Sequence, residues 1–527
     1  MNSHFDAIII GAGHNGLVTA CYLAKAGKKV LLLERRHLVG GACVTDESTF
    51  TGFKVSNAAY VNSLFHKQIE KDLRLRDYGY KVLERNPSSF TPTEEGKHLF
   101  LGPDDRLNQS EISKFSKRDA ENYPKYNQKL EHLAKVIEPI LSGKPPNVLK
   151  PGLKDLWNMW KLSSSFRSLG PDLQEAIEFL TGSARPILER WFESEPLLST
   201  LATDAVIGAM AAPSMPGTGY VLFHHVMGET NGKRGVWGYV QGGMGTLTKV
   251  LAKIATDLGS TILCETPVQK ILVKNNRAIG VVTTEGKEFT APIVASNADC
   301  NVTFNKLMSP DCLPEDFKRG IDRINYDSAS LKINVALSEL PDFIALPGKI
   351  AGPQHRGTIH ICKDLDTIER GYDDAKYGEP SRVPILECTI PSAVDPTVAP
   401  EGKHLMSMFI QYAPYKLKNG NWDQLKDAFA DRCFDLLNTY APNFRSSVID
   451  RQVLTPLDFE REYSLTGGNI FQGSMIMNQL FFMRPTLGYS YRTPIQGLFL
   501  CGAAAHPGGG VTGIPGWNCA KEILGKW

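Results

Sequence analysis

The sequence predicts an α/β protein, with a discontinuous Rossmann-like dinucleotide-binding domain joined to a mixed α+β second domain. Three observations predict it. Near the start, Ala7 to Ile10 is an apolar run that enters Gly11-Ala-Gly13-His-Asn-Gly16. A helical pattern follows (Leu17, Val18, Ala20, Cys21, Leu23, Ala24), stops at Gly27, and gives way to a second apolar run, Val30 to Leu33, ending on Glu34. That is a βαβ unit with G-x-G-x-x-G between strand and helix. Near the end, Gly497-Leu-Phe-Leu-Cys501-Gly502 is a short apolar strand entering a second glycine-rich loop, and a helix pattern runs on to Leu524. Between them, Thr261 to Cys264, Val268 to Val273, Ala278 to Thr283 and Pro292 to Ser296 read as strands.

The first glycines have distinct physical roles. Gly11 lets the chain turn sharply. Gly13 has no side chain, so a pyrophosphate can approach the backbone. Gly16 lets the helix lie close on the strand. The helix N-terminus then faces the phosphates with unpaired N–H groups. Glu34 is placed to accept hydrogen bonds from a ribose 2′-hydroxyl.

The next segment, Arg36-His-Leu-Val-Gly40-Gly41-Ala-Cys-Val-Thr45, resembles the paired-glycine motif of the glutathione-reductase-type FAD flavoproteins. The resemblance implies FAD, with Arg36, Gly40 and Gly41 beside it. The loop Ala-Ala-Ala-His506-Pro-Gly-Gly-Gly510-Val511-Thr512-Gly513 resembles the closing flavin motif of the phytoene desaturase and amine oxidase superfamily. Its glycines free backbone N–H groups, and the helix start directs positive dipole at an anion or carbonyl. The resemblance brings Gly502, Val511 and Thr512 to the flavin N1/O2 edge. It also implies that the backbone of Val268 holds the adenine. No cysteine sits where a covalent linkage can be argued, so the FAD is expected to be non-covalent.

The chain as a whole is similar to the phytoene-desaturase-like branch of the FAD amine oxidase superfamily. Besides both termini, the resemblance rests on Gly52-Phe-Lys-Val-Ser-Asn, Gly242-Gly243-Met244-Gly245, Val294-Ala-Ser-Asn-Ala-Asp299, Lys332-Ile-Asn-Val-Ala, Gly467-Gly-Asn-Ile-Phe-Gln-Gly473 and Tyr491-Arg-Thr-Pro-Ile. The ten cysteines contain no C-x-x-C, so no dithiol redox pair is suggested. No second G-x-G-x-x-G follows a strand, so no separate NAD(P)H domain is implied. Gly242 to Gly245 precedes a helix pattern but follows Trp237-Gly-Tyr-Val, a poor strand.

Composition sets the outer bounds. The 527 residues suffice for two to four domains. A net charge of +2 with 22% charged residues gives no electrostatic case for nucleic acid. The cysteines lie mostly in apolar runs (Cys21, Cys264, Cys388, Cys519), as expected of reduced, buried thiols in a reducing compartment. The expected location is cytoplasmic, or the mitochondrial matrix in a eukaryote. The first strand begins too early for a signal peptide, and no apolar run of about 18 residues predicts a spanning helix.

Both ends must meet at one FAD. The FAD domain is therefore expected to comprise 1–69, 235–300 and 456–527, and the substrate domain 70–234 and 301–455. The first substrate block reads as helical (Ala120 to Leu141, Leu153 to Leu169, Pro171 to Leu180, Pro186 to Phe192). The second mixes strands (Ser330 to Leu337, Leu386 to Ile390, Leu405 to Tyr412) with a helix from Trp422 to Tyr440.

A flavin oxidase needs a dry pocket and groups that set protonation. The catalytic candidate is Lys332, in Ser330-Leu-Lys-Ile-Asn-Val-Ala-Leu337. Leu331, Ile333, Val335 and Leu337 share one face of that strand; Lys332, Asn334 and Ala336 share the other. A lysine inside a buried strand is costly unless it is paired or its pKa falls. Its spacing resembles the amine oxidase strand whose lysine holds a water at flavin N5. The alternative is an edge-strand lysine pointing to solvent. Other residues resemble the desaturase branch: Ala42 stands where amine oxidases place an arginine, and Gly510 where they place an aromatic. His506 is divided between a flavin-edge donor and a loop cap. Tyr60 lies where the family's chain passes the isoalloxazine, with core packing as its plainer role. Phe223, His224 and His225 are candidates for a pocket wall, and the adjacent histidines have no metal spacing, so no metal site is expected. Leu153-Lys-Asp-Leu-Trp-Asn-Met-Trp-Lys-Leu is amphipathic. It suits either a helix packed on the substrate domain or one resting on a membrane surface.

The resulting expectation is an FAD-dependent oxidoreductase that moves a hydride from a substrate C–H bond to flavin N5, amine- or amino-acid-oxidase-like. Oxygen or another acceptor would reoxidise the flavin. The alternatives are a phytoene-desaturase-like polyene or lipid desaturase, saturase or isomerase, and a flavin-bearing interaction protein with little turnover. The substrate is a small molecule, apolar in the second reading. Oligomeric state is left open.

Overall fold

The computed structural model describes residues 4–526. Its first sheet is five-stranded and parallel, ordered Leu498–Leu500, Val294–Ser296, Ala7–Ile10, Val30–Leu33 and Thr261–Leu263. Ile9 stands at its centre, in register with Leu32 on one side and Ala295 on the other; Ala295 in turn pairs Phe499. The first and last strands of the chain thus lie in one sheet. All-apolar runs such as Ala7–Ile10 form here because both faces of a parallel sheet are covered. The helix His14–Lys25 packs on Gly245–Asp257 and on Ile514–Leu524. Thr19 Oγ1 donates to Gly516 O at 3.0 Å, so the two terminal helices are joined backbone to side chain. An antiparallel three-stranded sheet, Val268–Lys274, Arg277–Thr283 and Glu288–Thr290, shares the same core through Ile271, Val281 and Phe289.

The second sheet has seven strands: Val448–Leu454, Ser330–Leu337, His404–Gln411, Ile385–Thr389, Thr358–Ile361, Ser89–Pro92 and His98–Leu101. Neighbours are antiparallel except Thr358–Ile361 beside Ser89–Pro92. One face carries Leu331, Ile333, Val335, Leu386, Met408 and Ile359, and packs on Trp422–Tyr440 through Phe429, Phe434 and Leu437. The other face carries the cross-strand row Lys332, Phe409, Glu387 and His360. The period of two puts these polar residues opposite the apolar set.

The expected helices appear as Lys117–Ser142, Leu153–Arg167, Leu173–Thr181 and Ala184–Trp191. Ser116 caps the first, its Oγ accepting from Asp119 N at 3.1 Å. Two local expectations fail. The block read as helical also holds the strands Val82–Glu84, Ser89–Pro92 and His98–Leu101. Gly238–Val240, read as a poor strand, pairs with Val82–Glu84. These strands are short: Val82–Glu84 and Gly238–Val240 find each other across the chain, while Ser89–Pro92 and His98–Leu101 form a local hairpin whose four-residue arms are too brief for a clear period.

Candidate active site

A cavity of about 1110 Å³ is lined from both sheets, by Ile10 and Leu33 on one side and by His360, Glu387 and Phe409 on the other. It exceeds the roughly 300–1,000 Å³ typical of a site for one drug-sized ligand.

At one end stand Gly11, Gly13, Glu34, Arg36, Gly40, Gly41, Val268 and Val511. The helix His14–Lys25 begins at Gly13 with no side-chain cap and no acid in its first turn. Its first N–H groups are open to an anion. His14 Nε2 and Asn15 Oδ1 are buried without a hydrogen-bond partner among the described residues, and both residues line the cavity. Glu34 Oε2 accepts from Ala12 N at 2.9 Å and Oε1 from Arg36 N at 3.0 Å. The carboxylate is thereby pinned between the glycine turn and the following loop. The Arg36 guanidinium lies 4.8 Å from the Tyr463 ring centre and donates to Gly41 O at 3.2 Å. A Cβ on Gly13 would stand 2.6 Å from Asn297 Nδ2, and one on Gly16 would stand 2.3 Å from Gly11 O. These residues fit a dinucleotide: a bare helix start for phosphates, an acid for a ribose and a glycine cradle that any side chain would fill.

Three expected cofactor residues do not line the cavity. Gly16 packs under the glycine turn, and a Cβ on Gly502 would sit 2.5 Å from Asn297 O. Both are close-packing positions. Thr512 Oγ1 accepts from Ile514 N at 3.1 Å, and its carbonyl accepts from His66 N at 3.0 Å. Its hydroxyl serves the start of the last helix.

The middle of the cavity holds Tyr60, which stacks on Phe409 with ring centres 6.2 Å apart. Beneath Tyr60 lies Lys332, wholly buried. Its Nζ donates to Ser56 O at 2.5 Å and Ala58 O at 3.0 Å, and stands 4.8 Å from the Tyr60 ring centre. Lys332 is therefore no solvent-facing edge lysine; its strand is flanked on both sides. It does not itself line the cavity; the 56–60 segment it holds does, through Ala58, Ala59 and Tyr60. Burial drives its pKa well below the ordinary lysine value.

The far wall goes beyond the expected residues, of which it contains His225. It brings together Arg85, Asp204, His225, His360 and Glu387. Arg85 Nη1 donates to Thr358 Oγ1 at 2.6 Å. His360 Nδ1 is 3.0 Å from Thr203 Oγ1, and burial lowers that imidazole's pKa to about 3. Burial, then the charge of Asp204, pushes the Glu387 carboxyl up to about 8. Burial also raises Asp204, against the pull of His225 and Arg85. Two carboxyls so placed hold a proton near neutrality. These five residues share no motif. One signal was present: Glu387 is an acid within the all-buried strand Ile385–Thr389, as Lys332 is a base within its own. His224 and His225 line the cavity as expected, while Phe223 sits in the core of the helical block.

The sequence matches the flavin-containing amine oxidoreductase family over residues 16–516. The chain belongs to that family. Among curated relatives, pyridine nucleotide-disulfide oxidoreductase domain-containing protein 2 of Rattus norvegicus is 45% identical, across 99% of this chain and 94% of that protein. The lycopene-forming phytoene desaturase of Pseudescherichia vulneris is 27% identical, across 96% of each chain. Among solved structures, wild-type putrescine oxidase bound to putrescine superposes with a TM-score of 0.63 at 16% identity, covering 99% of each chain. That last likeness is one of fold.

As a flavin-containing amine oxidoreductase, the protein is a flavin-dependent oxidoreductase. In this member of the family Ala42 and Gly510 line the cavity. His506 is buried beside Phe481, with ring centres 6.0 Å apart, and is not part of the cavity wall. Cys501 is buried at the end of its strand, and all ten cysteines are free thiols. Among the described residues, no helix is long and apolar enough to cross a membrane, and no group of three His, Cys, Asp or Glu side chains is placed to hold a metal ion.

Proposed function

We propose that the protein binds FAD non-covalently and oxidises an amine or amino acid by hydride removal from a C–H bond. One observation carries the choice of substrate class. The cavity that begins at the glycine cradle ends on a wall with one guanidinium, Arg85, and two carboxyls, Asp204 and Glu387. Such a wall suits a polar, charge-bearing substrate end. A polyene would set hydrocarbon against these polar groups and cut them off from water, which is unfavourable.

The bound flavin supplies the hydride acceptor. The chain's own residues do the rest. Gly11, Gly13, the helix start at His14 and Glu34 would hold the dinucleotide. Tyr60 and Phe409 form an aromatic side to the cavity. Asp204 and Glu387 offer a carboxylate to an ammonium group or take up its proton. Lys332 positions the 56–60 segment that borders the flavin region.

The test is an anaerobic bleaching screen of the purified yellow protein against amines, amino acids and polyenes. Bleaching by an amine or amino acid is the expected result. Bleaching by polyenes alone would replace this reading with the desaturase one. No bleaching by any class would favour an interaction protein that merely carries flavin.

A further inference from the structure

The helix Leu153–Arg167 has two apolar faces. Met159, Leu162 and Phe166 are half-buried, and Phe166 packs on the core of the helical block. Helical spacing puts Leu153, Leu156, Trp157 and Trp160 on the opposite side. There Leu153 is 89% exposed, Trp157 55% and Trp160 60%. The two indoles stack on each other at 4.9 Å. Exposed Leu149, just upstream, adds to the patch. No residue of this helix is buried. A surface helix ordinarily turns polar residues outward, and a contiguous exposed apolar patch marks an interaction site.

The charges say what kind. From 149 to 168 the chain carries Lys150, Lys154, Lys161 and Arg167 against one acid, Asp155. All four basic residues are exposed. The acid is turned to local backbone: Asp155 accepts from Gly152 N and from Asn147 N, each at 3.0 Å. Lys161 Nζ lies 5.5 Å from the Trp157 ring centre, so cation and indole share one edge. Tryptophan and leucine between outward cations is the pattern of a helix lying in a lipid interface.

We propose that Leu153–Arg167 is a membrane-docking helix that lies on an anionic phospholipid bilayer, with Leu153, Leu156, Trp157 and Trp160 inserted. The helix packs on Lys117–Ser142, which contributes Tyr123, Tyr126 and Asn127 to the cavity wall. Docking would set the cavity one helix away from the lipid. This inference is independent of the substrate class proposed above.

The experiment is vesicle flotation of the flavin-loaded protein. Phosphatidylcholine vesicles are compared with vesicles of mixed phosphatidylcholine and phosphatidylglycerol. The expected result is flotation with the anionic vesicles at least tenfold above the neutral ones, weakened as salt rises from about 0.1 M to about 0.5 M. Trp157→Ser with Trp160→Ser should lose that binding by tenfold or more. Lys154→Glu with Lys161→Glu should lose the preference for anionic lipid. Unchanged flavin absorbance and melting temperature in each variant establish that the fold is intact. No flotation with either vesicle overturns the proposal. So does a concentration-dependent dimer in light scattering that the double tryptophan variant abolishes, because the patch is then covered by a second copy.

Discussion

Lys332 and Glu387 stand on the same face of the seven-stranded sheet, one strand to either side of Phe409. Strands lie about 4.8 Å apart, so a buried base and a buried acid are separated by two strand spacings across the sheet; of the two, only Glu387 lines the cavity. Both are buried, and each is shifted toward its neutral form by burial.

Lys332→Met tests the base. The variant keeps the apolar stem and removes the donors to Ser56 O and Ala58 O. FAD is expected to stay bound, because the residues proposed to hold its phosphates and ribose, Gly11, Gly13 and Glu34, lie elsewhere in the cavity. The 56–60 segment, which lines the cavity through Ala58, Ala59 and Tyr60, loses its anchor. Substrate oxidation or reaction of the reduced flavin with oxygen should slow by roughly ten- to a thousandfold, equivalent to about 1.4–4 kcal/mol of barrier. Stopped-flow absorbance of both half-reactions measures it. Rates within twofold of wild type would remove Lys332 from the chemistry.

Glu387→Gln tests the acid through pH. The folded protein raises this carboxyl from 4.5 to about 8. Between those values the folded state binds a proton that the unfolded state has released. The stability this contributes is complete below pH 4.5 and is lost as pH rises through about 8. Glutamine does not titrate. Wild type should therefore lose a few degrees of melting temperature relative to Glu387→Gln between about pH 5 and about pH 9. Parallel melting curves would contradict the shift.

The two glycine variants should differ. In Gly16→Val the new side chain meets a backbone oxygen, Gly11 O at 2.3 Å, which cannot rotate away. Poor folding and loss of yellow protein are expected. In Gly13→Val the first obstacle is the end of the Asn297 side chain at 2.6 Å, which can move. That variant should fold but fail to retain flavin, and should melt lower by the missing ligand contribution. A yellow Gly13→Val protein with wild-type melting would sink the cradle assignment.

Acid precipitation checks the mode of flavin binding. All ten cysteines are free and Cys501 is buried at a strand end. The supernatant should be yellow and contain FAD. Flavin retained in the pellet would mean a covalent bond, and FMN in its place would mean the dinucleotide end is misread.

Much of the cofactor end was legible in the chain. The G-x-G-x-x-G turn, Glu34 and the C-terminal loop are each written in consecutive residues, because a βαβ turn is built from neighbours and only glycine fits its close approaches. The strands Ser330–Leu337 and His404–Gln411 and the helix Trp422–Tyr440 were readable for the same reason: their periodicity is local. Ser89–Pro92 and Gly238–Val240 were not: unlike the apolar runs Ala7–Ile10 and Leu498–Leu500, these short strands carry a proline or glycine and no continuous apolar run.

By itself, then, the sequence determined the βαβ unit, the glycine cradle and the need for both termini to meet. Only the tertiary structure decided where Lys332 points, that Arg85, Asp204, His360 and Glu387 converge, and that Trp157 and Trp160 face outward. The physical reason is the range of the interactions. Backbone turns and amphipathic periods are set by residues a few positions apart. A cavity wall is set by which strands become neighbours, and in this sheet residues 89, 332, 360, 387 and 409 meet through pairings that no local pattern encodes.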